Sequence, residues 1–600
     1  MSQSFFADDE VVGSFYDARL VRRLLGYIRR YAWLAALALA LVLAGMGLFL
    51  VNPYLLGRIV DLGIRGRDPD TIWRLGLLYG AIEVMIFLVS YAQNYLLQYI
   101  GQHVMFDLRA GFFAHLQRMP LPFFDRNPVG RLVTRVTNDI ATLAELFSSG
   151  IVMVIGDLFL IAGIAVSLVL LHPGLGLATL STVPLLVVAA WFFQTRIRQA
   201  FREVRARIAR VNASLSENIS GMRVIQIFRQ EEGRAAKFDG LNASHRDAQV
   251  QSVFYHSLFT PVITVINALC IIVILLVGGH MVQGGTLTLG LLVSFLTYAQ
   301  NFFHPIRNIS EKVTIFQSAM ASAERVFSLM DEPEETGLRE GEPLPTVQGE
   351  IRFEGVRFAY IPGREVLSDI SFTVAPGQSV AIVGHTGAGK TTITALLDRM
   401  YDLAAGRILL DGRDVTTIAK EELRRRIAVI HQDVFIFADT VRENIRLWNP
   451  AIAPERVRQI AREIGADGFI TALAQGYDTE LYERGANLST GQRQLISFAR
   501  ALCADPTILV LDEATSSIDS ESEKIIQEAI KTLTRGRTCL IIAHRLSTIR
   551  HCDRILVLHQ GRLVESGSHQ ELLAKQGFYH KLYELQFHDG PAANRPVPSH

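Results

Sequence analysis

The chain has 600 residues, of which 50% are hydrophobic and 20% are charged, and its formal net charge is +1. A mean hydropathy of +0.26 is unusual for a uniformly water-soluble chain, so we expect the apolar residues to be concentrated in a membrane part. The near-zero net charge gives no indication of a nucleic-acid partner. The four cysteines show neither disulfide nor metal-site spacing: Cys270, Cys503, Cys539 and Cys552.

Long uncharged runs in the first half predict six transmembrane helices. The run from Tyr31 to Gly57 has no charged residue, and about 20 such residues cross the hydrocarbon core as a helix. Later runs are interrupted at His172-Pro173-Gly174 and at the pairs Gly278-Gly279 and Gly284-Gly285, which we expect to separate neighbouring spans. The predicted spans cover residues 33–56, 75–98, 147–171, 174–195, 256–278 and 286–308.

Basic residues near the span ends predict the orientation. Arginines precede the first span within residues 19–30 and follow the fourth span within residues 196–210, and basic residues mark the cytoplasmic side. The N-terminus and the second half of the chain are therefore expected in the cytoplasm. We expect residues 1–30 to form a cytoplasmic elbow segment and not a cleavable signal peptide, because acidic residues precede an apolar run that is too long for such a signal.

The polar connections after the second and fourth spans, about residues 103–145 and 196–247, have compositions compatible with helices that project from the bilayer. Helical patterning breaks within each connection, at Pro122–Arg131 and at Glu217–Met222. From spacing alone, each break is either an ordinary surface turn or a short helix that contacts another part of the protein.

Two carboxylates lie inside predicted spans, Glu83 and Asp157. A charge is costly in hydrocarbon, so each must face the bundle interior, a cavity or a partner helix. They could line a substrate cavity and attract cationic substrates, or they could tie helices together through hydrogen bonds. The polar group Gln300, Asn301 and His304 near the end of the sixth span leaves the same two alternatives open.

The second half predicts an α/β domain. An acidic, Pro- and Gly-containing stretch marks a linker over residues 326–348, which separates the membrane part, 31–325, from a domain over residues 349–585. Residues 586–600 are expected to form a flexible tail. Strand-like runs at 379–383, 507–511 and 538–542 alternate with helical segments, which is typical of a largely parallel sheet.

A phosphate-binding motif follows the first of these strands. The segment from Gly384 to Thr391 fits the P-loop pattern, in which backbone N–H groups surround phosphates at the start of a helix. Lys390 should reach the β- and γ-phosphates, and Thr391 should offer its hydroxyl oxygen to Mg²⁺. The residues expected to bind the nucleotide here are Gly384, His385, Thr386, Gly387, Ala388, Gly389, Lys390, Thr391 and Thr392.

A second motif, Ile508–Glu513, is an apolar strand that ends in two carboxylates. Asp512 would help to hold Mg²⁺, and Glu513 would polarise the attacking water. Paired acids at a strand end can also serve only as caps, but the upstream P-loop favours the catalytic interpretation.

The segment Leu488–Gln492 resembles the signature loop of the ABC ATPase family, and other family positions follow in the family's order along essentially the whole domain. They comprise the adenine-stacking aromatic at Tyr360, the Q-loop glutamine at Gln432, the switch histidine at His544, the exporter X-loop at Thr479–Gly485 and the D-loop at Ser517–Asp519. The chain is thereby identified as resembling an ABC exporter half-transporter, with six transmembrane helices and one ABC nucleotide-binding domain.

The resemblance implies an ATPase coupled to transport, with ATP and Mg²⁺ as cofactors. It implies catalytic roles for Glu513, His544 and Gln432, Mg²⁺ contacts from Thr391, Gln432 and Asp512, and coupling helices at the two breaks in the polar connections. In the family, the signature loop binds the γ-phosphate held by the opposite subunit, so a dimer is required. The signature residues concerned are Ser489, Thr490, Gly491 and Gln492.

The signature departs from the family pattern at Thr490, where the commonest form has glycine. This departure is either a tolerated variant in a homodimer or a mark of heterodimeric exporters, in which one chain keeps the catalytic glutamate and carries an altered signature. We favour the heterodimer. The resemblance to bacterial multidrug and lipid exporters implies the bacterial cytoplasmic membrane, and it leaves drugs, lipids and peptides open as substrates.

Three other functions are disfavoured. Six apolar spans exclude a soluble ABC ATPase that acts on nucleic acid or ribosomes. Importers usually carry the two domains on separate chains, and the fused order and the X-loop resemble exporters instead. A channel or regulator with impaired hydrolysis would be expected to lack Glu513 or His544, and both are present.

Overall fold

The computed structural model describes residues 17–344, 347–512, 520–542 and 549–587. The chain forms two compact units. The first comprises the chain up to Gln117 together with Pro128–Glu332, and the second comprises Arg118–Asn127 together with the chain from Pro333. A ten-residue piece of the first polar connection therefore belongs to the second unit, although its neighbours in sequence on both sides belong to the first.

The described part of the first unit is helical. The helices up to Met330, in chain order, are α1 Ala18–Ile28, α2 Ala32–Arg58, α3 Pro69–Leu116, α4 Leu121–Arg126 (in the second unit), α5 Val129–Thr134, α6 Ile140–Glu145, α7 Ile151–Leu171, α8 Pro173–Leu180, α9 Val183–Ser220, α10 Met222–Ile227, α11 Glu231–Gln283 and α12 Leu289–Met330. Short π-helical turns continue α2 over Ile59–Ile64 and join α5 to α7 at Arg135–Asp139 and Leu146–Gly150.

Five helical segments of the described chain are long and apolar enough to cross a membrane, namely 18–64, 69–116, 129–171, 173–220 and 231–283. The sixth predicted span, 286–308, falls on α12, part of whose side chains lie outside the described residues. Helix α3 has 48 residues and α11 has 53. At 1.5 Å per residue these helices are roughly 70–80 Å long, far longer than a hydrocarbon core of about 30 Å. Both therefore extend well beyond the bilayer.

The helix that contains the fifth predicted span, α11, corrects one expectation. The prediction that Gly278-Gly279 interrupts the chain was wrong, because α11 continues to Gln283 and the turn comes at Gly284 and Gly285. Gly278 is buried inside the helix, and a Cβ there would lie only 2.6 Å from a methyl carbon of Leu292 on α12. The missing side chain thus serves close packing of two helices and not a break.

One end of α2 packs closely against the start of α12. A Cβ on Gly290 would overlap the carbonyl oxygen of Gly57, so the two backbones touch where neither residue has a side chain. The Asp61 carboxylate accepts hydrogen bonds from the Thr288 hydroxyl at 2.5 Å and from the Gly290 N–H at 2.7 Å. Together these contacts hold the first and sixth predicted spans together at this end.

The second unit contains two sheets. Its strands are β1 Ile351–Phe358, β2 Leu367–Val374, β3 Ser379–Gly384, β4 Ala405–Leu410, β5 Arg413–Asp414, β6 Ile427–Ile430, β7 Ile508–Asp512, β8 Thr538–Ile542, β9 Arg554–His559 and β10 Arg562–Gly567. Its helices after α12 are α13 Lys390–Leu397, α14 Lys420–Arg426, α15 Val441–Arg446, α16 Pro454–Glu463, α17 Asp467–Ala472, α18 Thr490–Cys503, α19 Ser520–Thr534, α20 His569–Ala574 and α21 Phe578–Phe587.

The larger sheet has the strand order β10-β9-β3-β8-β7-β6 and is parallel except for the β9–β10 pair. The smaller sheet, β2-β1-β4-β5, is antiparallel. Every residue of β7 and β8 is buried, because alternate side chains enter two separate cores. On β7, for example, Ile508 and Val510 pack into one core and Leu509 and Leu511 into the other. The expected parallel sheet of an α/β domain is thus present.

The contact between α2 and α12 gives a test of the membrane unit. We expect Gly290→Ala to lower the thermal unfolding midpoint of the purified chain, because the new methyl group must push α12 away from Gly57. Overpacking of this kind typically costs about 1–3 kcal/mol. Gly279→Ala is the matched control, since no atom lies within 4 Å of a Cβ there. Equal midpoints for the two variants would show that this contact is not tight.

Candidate functional site

Four parallel strands bring the sequence motifs of the second unit to one edge of the larger sheet. Strands β3, β8, β7 and β6 are successive parallel neighbours, so their carboxyl ends lie along the same edge. Gly384 ends β3, Asp512 ends β7, and Gln432 follows β6 by two residues. Glu513 follows β7 directly, and His544 follows β8 by two positions. Both residues lie outside the described residues. Ligands of open α/β sheets bind at this edge.

The loop between β3 and α13 forms a concave backbone cradle. Gly387 and Gly389 have φ angles of +81° and +97°, which residues with a side chain rarely adopt. The Lys390 side chain is buried, and its ammonium donates hydrogen bonds to the carbonyl oxygens of Gly384 at 2.8 Å and His385 at 3.1 Å. A cradle of backbone N–H groups with an ammonium and a helix start beside it fits a polyphosphate.

An aromatic ring lies next to this cradle. Tyr360 is 48% exposed, and its hydroxyl oxygen lies 3.1 Å from that of Thr392 on α13. Its ring contacts Phe358 and Tyr401, which both meet it nearly at right angles, with centroids 4.8 and 5.0 Å away. One side of Tyr360 is therefore fixed by other aromatic rings, while the exposed part suits stacking on a nucleotide base.

The residues expected to hold Mg²⁺ supply suitable oxygen donors. Thr391 is the second residue of α13 and is exposed, Gln432 is exposed beyond β6, and Asp512 is buried at the end of β7. Hydroxyl, amide and carboxylate oxygens are the ligand types that Mg²⁺ prefers, usually together with phosphate oxygens and water. The donor set at this edge therefore fits the ion.

The signature segment begins helix α18. The Ser489 hydroxyl accepts from the N–H of Gln492, and the Gln492 side chain accepts from the N–H of Ser489, which is a complete capping box. The Thr490 hydroxyl accepts a hydrogen bond from Arg493 at 3.1 Å. Gly491 is buried, whereas Ser489 and Thr490 are exposed. The loop thus presents its helix start and its hydroxyl groups to the solvent.

The segment expected to be an X-loop, Thr479–Gly485, is anchored at Leu481, which is buried and whose N–H donates to the carbonyl of Asp439. The next residue, Tyr482, is 67% exposed. The D-loop residues Ser517–Asp519 lie outside the described residues.

The breaks in the two polar connections have different surroundings. At the first, α4 packs within the second unit: Phe123 is buried, and the Tyr401 hydroxyl donates a hydrogen bond to Asp125. At the second, the chain bends at Gly221 between α9 and α10 in the first unit. Several apolar side chains there are exposed: Ile219, Met222, Val224, Ile227 and Phe228. The first break is therefore packed into the second unit, as expected of a coupling helix.

The first unit contains a cavity of about 600 Å³. Asp157 lines it together with Lys312, so groups of both charge signs face one cavity. Gln93, Asn94 and Asn301 add further polar groups. Its apolar lining comes from Met46, Phe49, Ile86, Met153 and Leu160. The volume lies within the range of small-molecule sites, and the lining combines apolar side chains with several polar ones.

Two polar groups from the sequence analysis lie elsewhere. Glu83 accepts a hydrogen bond from Asn52 at 2.7 Å, which joins α3 to α2. Gln300 is exposed, and the side chain of His304 lies outside the described residues. Sequence reasoning missed Lys312, although Asn301, Pro305 and Lys312 recur at a spacing that places them near one face of α12.

One buried acid lies at the end of the P-loop helix. Asp398 caps the C-terminus of α13, and its side chain is 7% exposed. Its Oδ1 atom has no hydrogen-bond partner within the part of the chain that the structure describes. Burial raises the pKa of Asp398 to about 6, while Arg424 acts in the opposite direction. A carboxylate at a helix C-terminus is also unfavourable to the helix dipole.

Comparison with known proteins agrees with these features. Residues 34–306 match the family described as "ABC transporter transmembrane region", and residues 367–516 match the family described as "ABC transporter". The chain is similar to the "Uncharacterized ABC transporter ATP-binding protein YknV" of Bacillus subtilis (strain 168), with 39% identity over 590 residues and 98% of each chain covered.

Two further relatives have more specific names. The "Probable multidrug resistance ABC transporter ATP-binding/permease protein YheH" of Bacillus subtilis (strain 168) is 37% identical over 513 residues, which cover 85% of this chain and 76% of the relative. The "ATP-dependent lipid A-core flippase" of Syntrophus aciditrophicus (strain SB) is 35% identical over 580 residues, which cover 95% of this chain and 94% of the relative.

Asp398 gives a pH-dependent prediction. The Asp398 carboxyl binds its proton more tightly in the folded chain than in the unfolded chain. Ionised Asp398 therefore destabilises the fold fully above about pH 6, and this destabilisation decreases as the pH falls toward 3.8. We expect Asp398→Asn to stabilise the second unit by about 1–3 kcal/mol at pH 8 and by less at pH 5. Calorimetric unfolding of the purified chain measures both values. The exposed neighbour Asp402 is the control as Asp402→Asn, and a pH-independent gain for Asp398→Asn would contradict the account.

Proposed function

The chain belongs to the ABC transporters, as an exporter-type half-transporter, and we propose that it exports or flips amphiphilic molecules as one half of a heterodimer. ATP hydrolysis coupled to transport is the activity of this family, and the chain is a multi-pass membrane protein. We propose the bacterial cytoplasmic membrane as its location.

The need for a second chain follows from the ATP site. The chain contains one P-loop and one signature loop, and Ser489 and Thr490 of the signature are exposed. Hydrogen bonds at this loop run to Gln492 and Arg493 of the same helix start, which leaves the start of α18 facing outward. A helix start of this kind suits the terminal phosphate of a nucleotide held by another chain. We therefore propose that each ATP is enclosed between two ATPase units, the ATPase unit being the second unit of each chain.

The proposed roles at the strand edge follow from the chemistry of each group. Lys390 neutralises charge on the β- and γ-phosphates, and the backbone N–H groups of the cradle fix their position. Thr391, Asp512 and Gln432 would hold Mg²⁺, which supplies charge stabilisation to the phosphates when bound. As the family resemblance implies, Glu513 would orient and polarise the attacking water, and His544 would act at the γ-phosphate.

Thr490 is the reason to propose a heterodimer. Its side chain occupies a position where the commonest family signature has glycine, and its hydroxyl is engaged by Arg493. A β-branched residue leaves less room for a phosphate to approach the helix start. In a heterodimer, the weakened signature would serve one site, and Glu513 of this chain would serve the other.

The cavity of the membrane unit is the observation that carries the proposed substrate class. It combines an apolar lining with Asp157 and Lys312, and such a lining suits a molecule that has an apolar body and a charged or zwitterionic head. One relative is named a probable multidrug resistance transporter and another a lipid A-core flippase, which supports drugs and lipids as the classes to test. We propose Asp157, and not Glu83, as the carboxylate of this cavity that meets substrate.

Transport in vesicles tests the proposed function. With ATP supplied on the side of the ATPase units, we expect a fluorescent zwitterionic phospholipid to move to the opposite leaflet. Glu513→Gln should retain ATP binding and lose both hydrolysis and lipid movement. The control Glu528→Gln removes an exposed carboxylate that pairs with Lys531 and should leave both unchanged. Undiminished hydrolysis in Glu513→Gln would refute the assigned catalytic role.

A further inference from the structure

Three aromatic rings of the second unit, Phe358, Tyr360 and Tyr401, form a cluster that connects Tyr360 to helix α4. Tyr360, the residue proposed to stack on the nucleotide base, is half-exposed, and Tyr401 meets its ring at 90° with the centroids 5.0 Å apart. Phe358, whose side chain is buried at the end of β1, contacts both rings, at centroid distances of 4.8 Å from Tyr360 and 5.6 Å from Tyr401. The three rings pack against one another, so a displacement of the Tyr360 ring also displaces the Tyr401 ring.

Tyr401 contacts α4 through its other end. Its hydroxyl donates a hydrogen bond to the carboxylate of Asp125, a residue separated from it by 276 positions in the chain. Burial and the neighbouring carboxylate raise the pKa of Tyr401, so the phenol remains protonated and able to donate at physiological pH. A hydrogen bond from a neutral hydroxyl to a charged carboxylate is stronger than one between neutral groups.

Helix α4 is continuous in sequence with the membrane unit on both sides, through α3 and α5. Phe123 anchors α4 by burial, and the N–H of Glu335 donates to the carbonyl of Arg118 just before it. The ion pair of Arg118 with Glu334 is exposed and adds little. The hydrogen bond from Tyr401 joins α4 to the aromatic cluster that contains Tyr360.

We infer that Tyr401 is a positioning residue for helix α4. When a nucleotide base stacks on Tyr360, Tyr401 holds α4 more firmly through its hydrogen bond to Asp125. The inference rests on the proposed nucleotide site and adds a step to it. A base that stacks on Tyr360 restricts its ring, which fixes Tyr401 and strengthens the hold on Asp125. Phosphates alone would fill the cradle at Lys390 without producing this effect, because they do not cover Tyr360.

Amide hydrogen exchange on the full-length protein in lipid nanodiscs distinguishes the effect of the nucleotide base from the effect of the phosphates. We compare saturating Mg²⁺ with adenylyl imidodiphosphate, which carries the base, against Mg²⁺ with inorganic tripolyphosphate, which does not. Both ligands should slow exchange in peptides that cover the cradle, residues 384–392. Only the nucleotide should slow exchange over residues 118–127, by at least about threefold, since local opening reports local stability.

Variants on both sides of the hydrogen bond test the assigned role. Tyr401→Phe keeps the ring contacts and loses the donor, and Asp125→Ala keeps the rings and loses the acceptor. Each should abolish the base-dependent protection of residues 118–127 while protection of the cradle stays unchanged. The double variant should behave like either single variant, because both remove the same interaction.

Tyr477→Phe is the matched control, since Tyr477 also donates to a carboxylate, that of Asp467 at 2.6 Å, outside the aromatic cluster. It should retain base-dependent protection of α4. Equal protection of α4 by tripolyphosphate, or retained protection in Tyr401→Phe, would overturn the inference. Absence of cradle protection by both ligands would instead refute the nucleotide site itself, and with it the inference.

Discussion

The parallel pairing of β3, β8, β7 and β6 is the constraint on which the chemistry of this protein depends. Parallel neighbours place their carboxyl ends at one edge, so the cradle after β3, Asp512 at the end of β7 and Gln432 beyond β6 lie along the same edge. The strands hold this register because both faces of the sheet are covered by apolar cores, and β7 and β8 are buried throughout.

A second constraint links this edge to the membrane part. The segment Arg118–Asn127 leaves the membrane unit, joins the ATPase unit and returns, so any movement of α4 must act on α3 and α5 through the backbone. The contacts of Phe123 and Asp125 fix α4 to the ATPase unit beside the aromatic cluster of Tyr360. We propose that the chemistry at the phosphates and the position of the membrane helices influence each other through this segment of the chain.

Much of this architecture could be predicted from local patterns. Apolar runs gave the helices, and the P-loop together with flanking strands indicated the sheet edge, because these features depend on neighbouring residues only. Glycine was harder to interpret: Gly278 is part of a helix since it meets Leu292, a contact that sequence spacing does not show. The pairing of Tyr401 with Asp125 depends on the packing of distant segments, so no local pattern could reveal it. Helical spacing places Lys312 near the face of α12 that carries Asn301, but it does not show that this face meets the cavity of Asp157.

We propose that this chain completes its ATP sites with a second, different chain. The reason is Thr490 in its signature loop. The most direct measurement is the ATP hydrolysis rate of the chain purified alone in nanodiscs, for the wild type and for Thr490→Gly. The account predicts slow hydrolysis by the wild type and a rise of about fivefold or more in the variant, which corresponds to roughly 1 kcal/mol of transition-state stabilisation. Fast hydrolysis by the wild type alone, unchanged in Thr490→Gly, would contradict it.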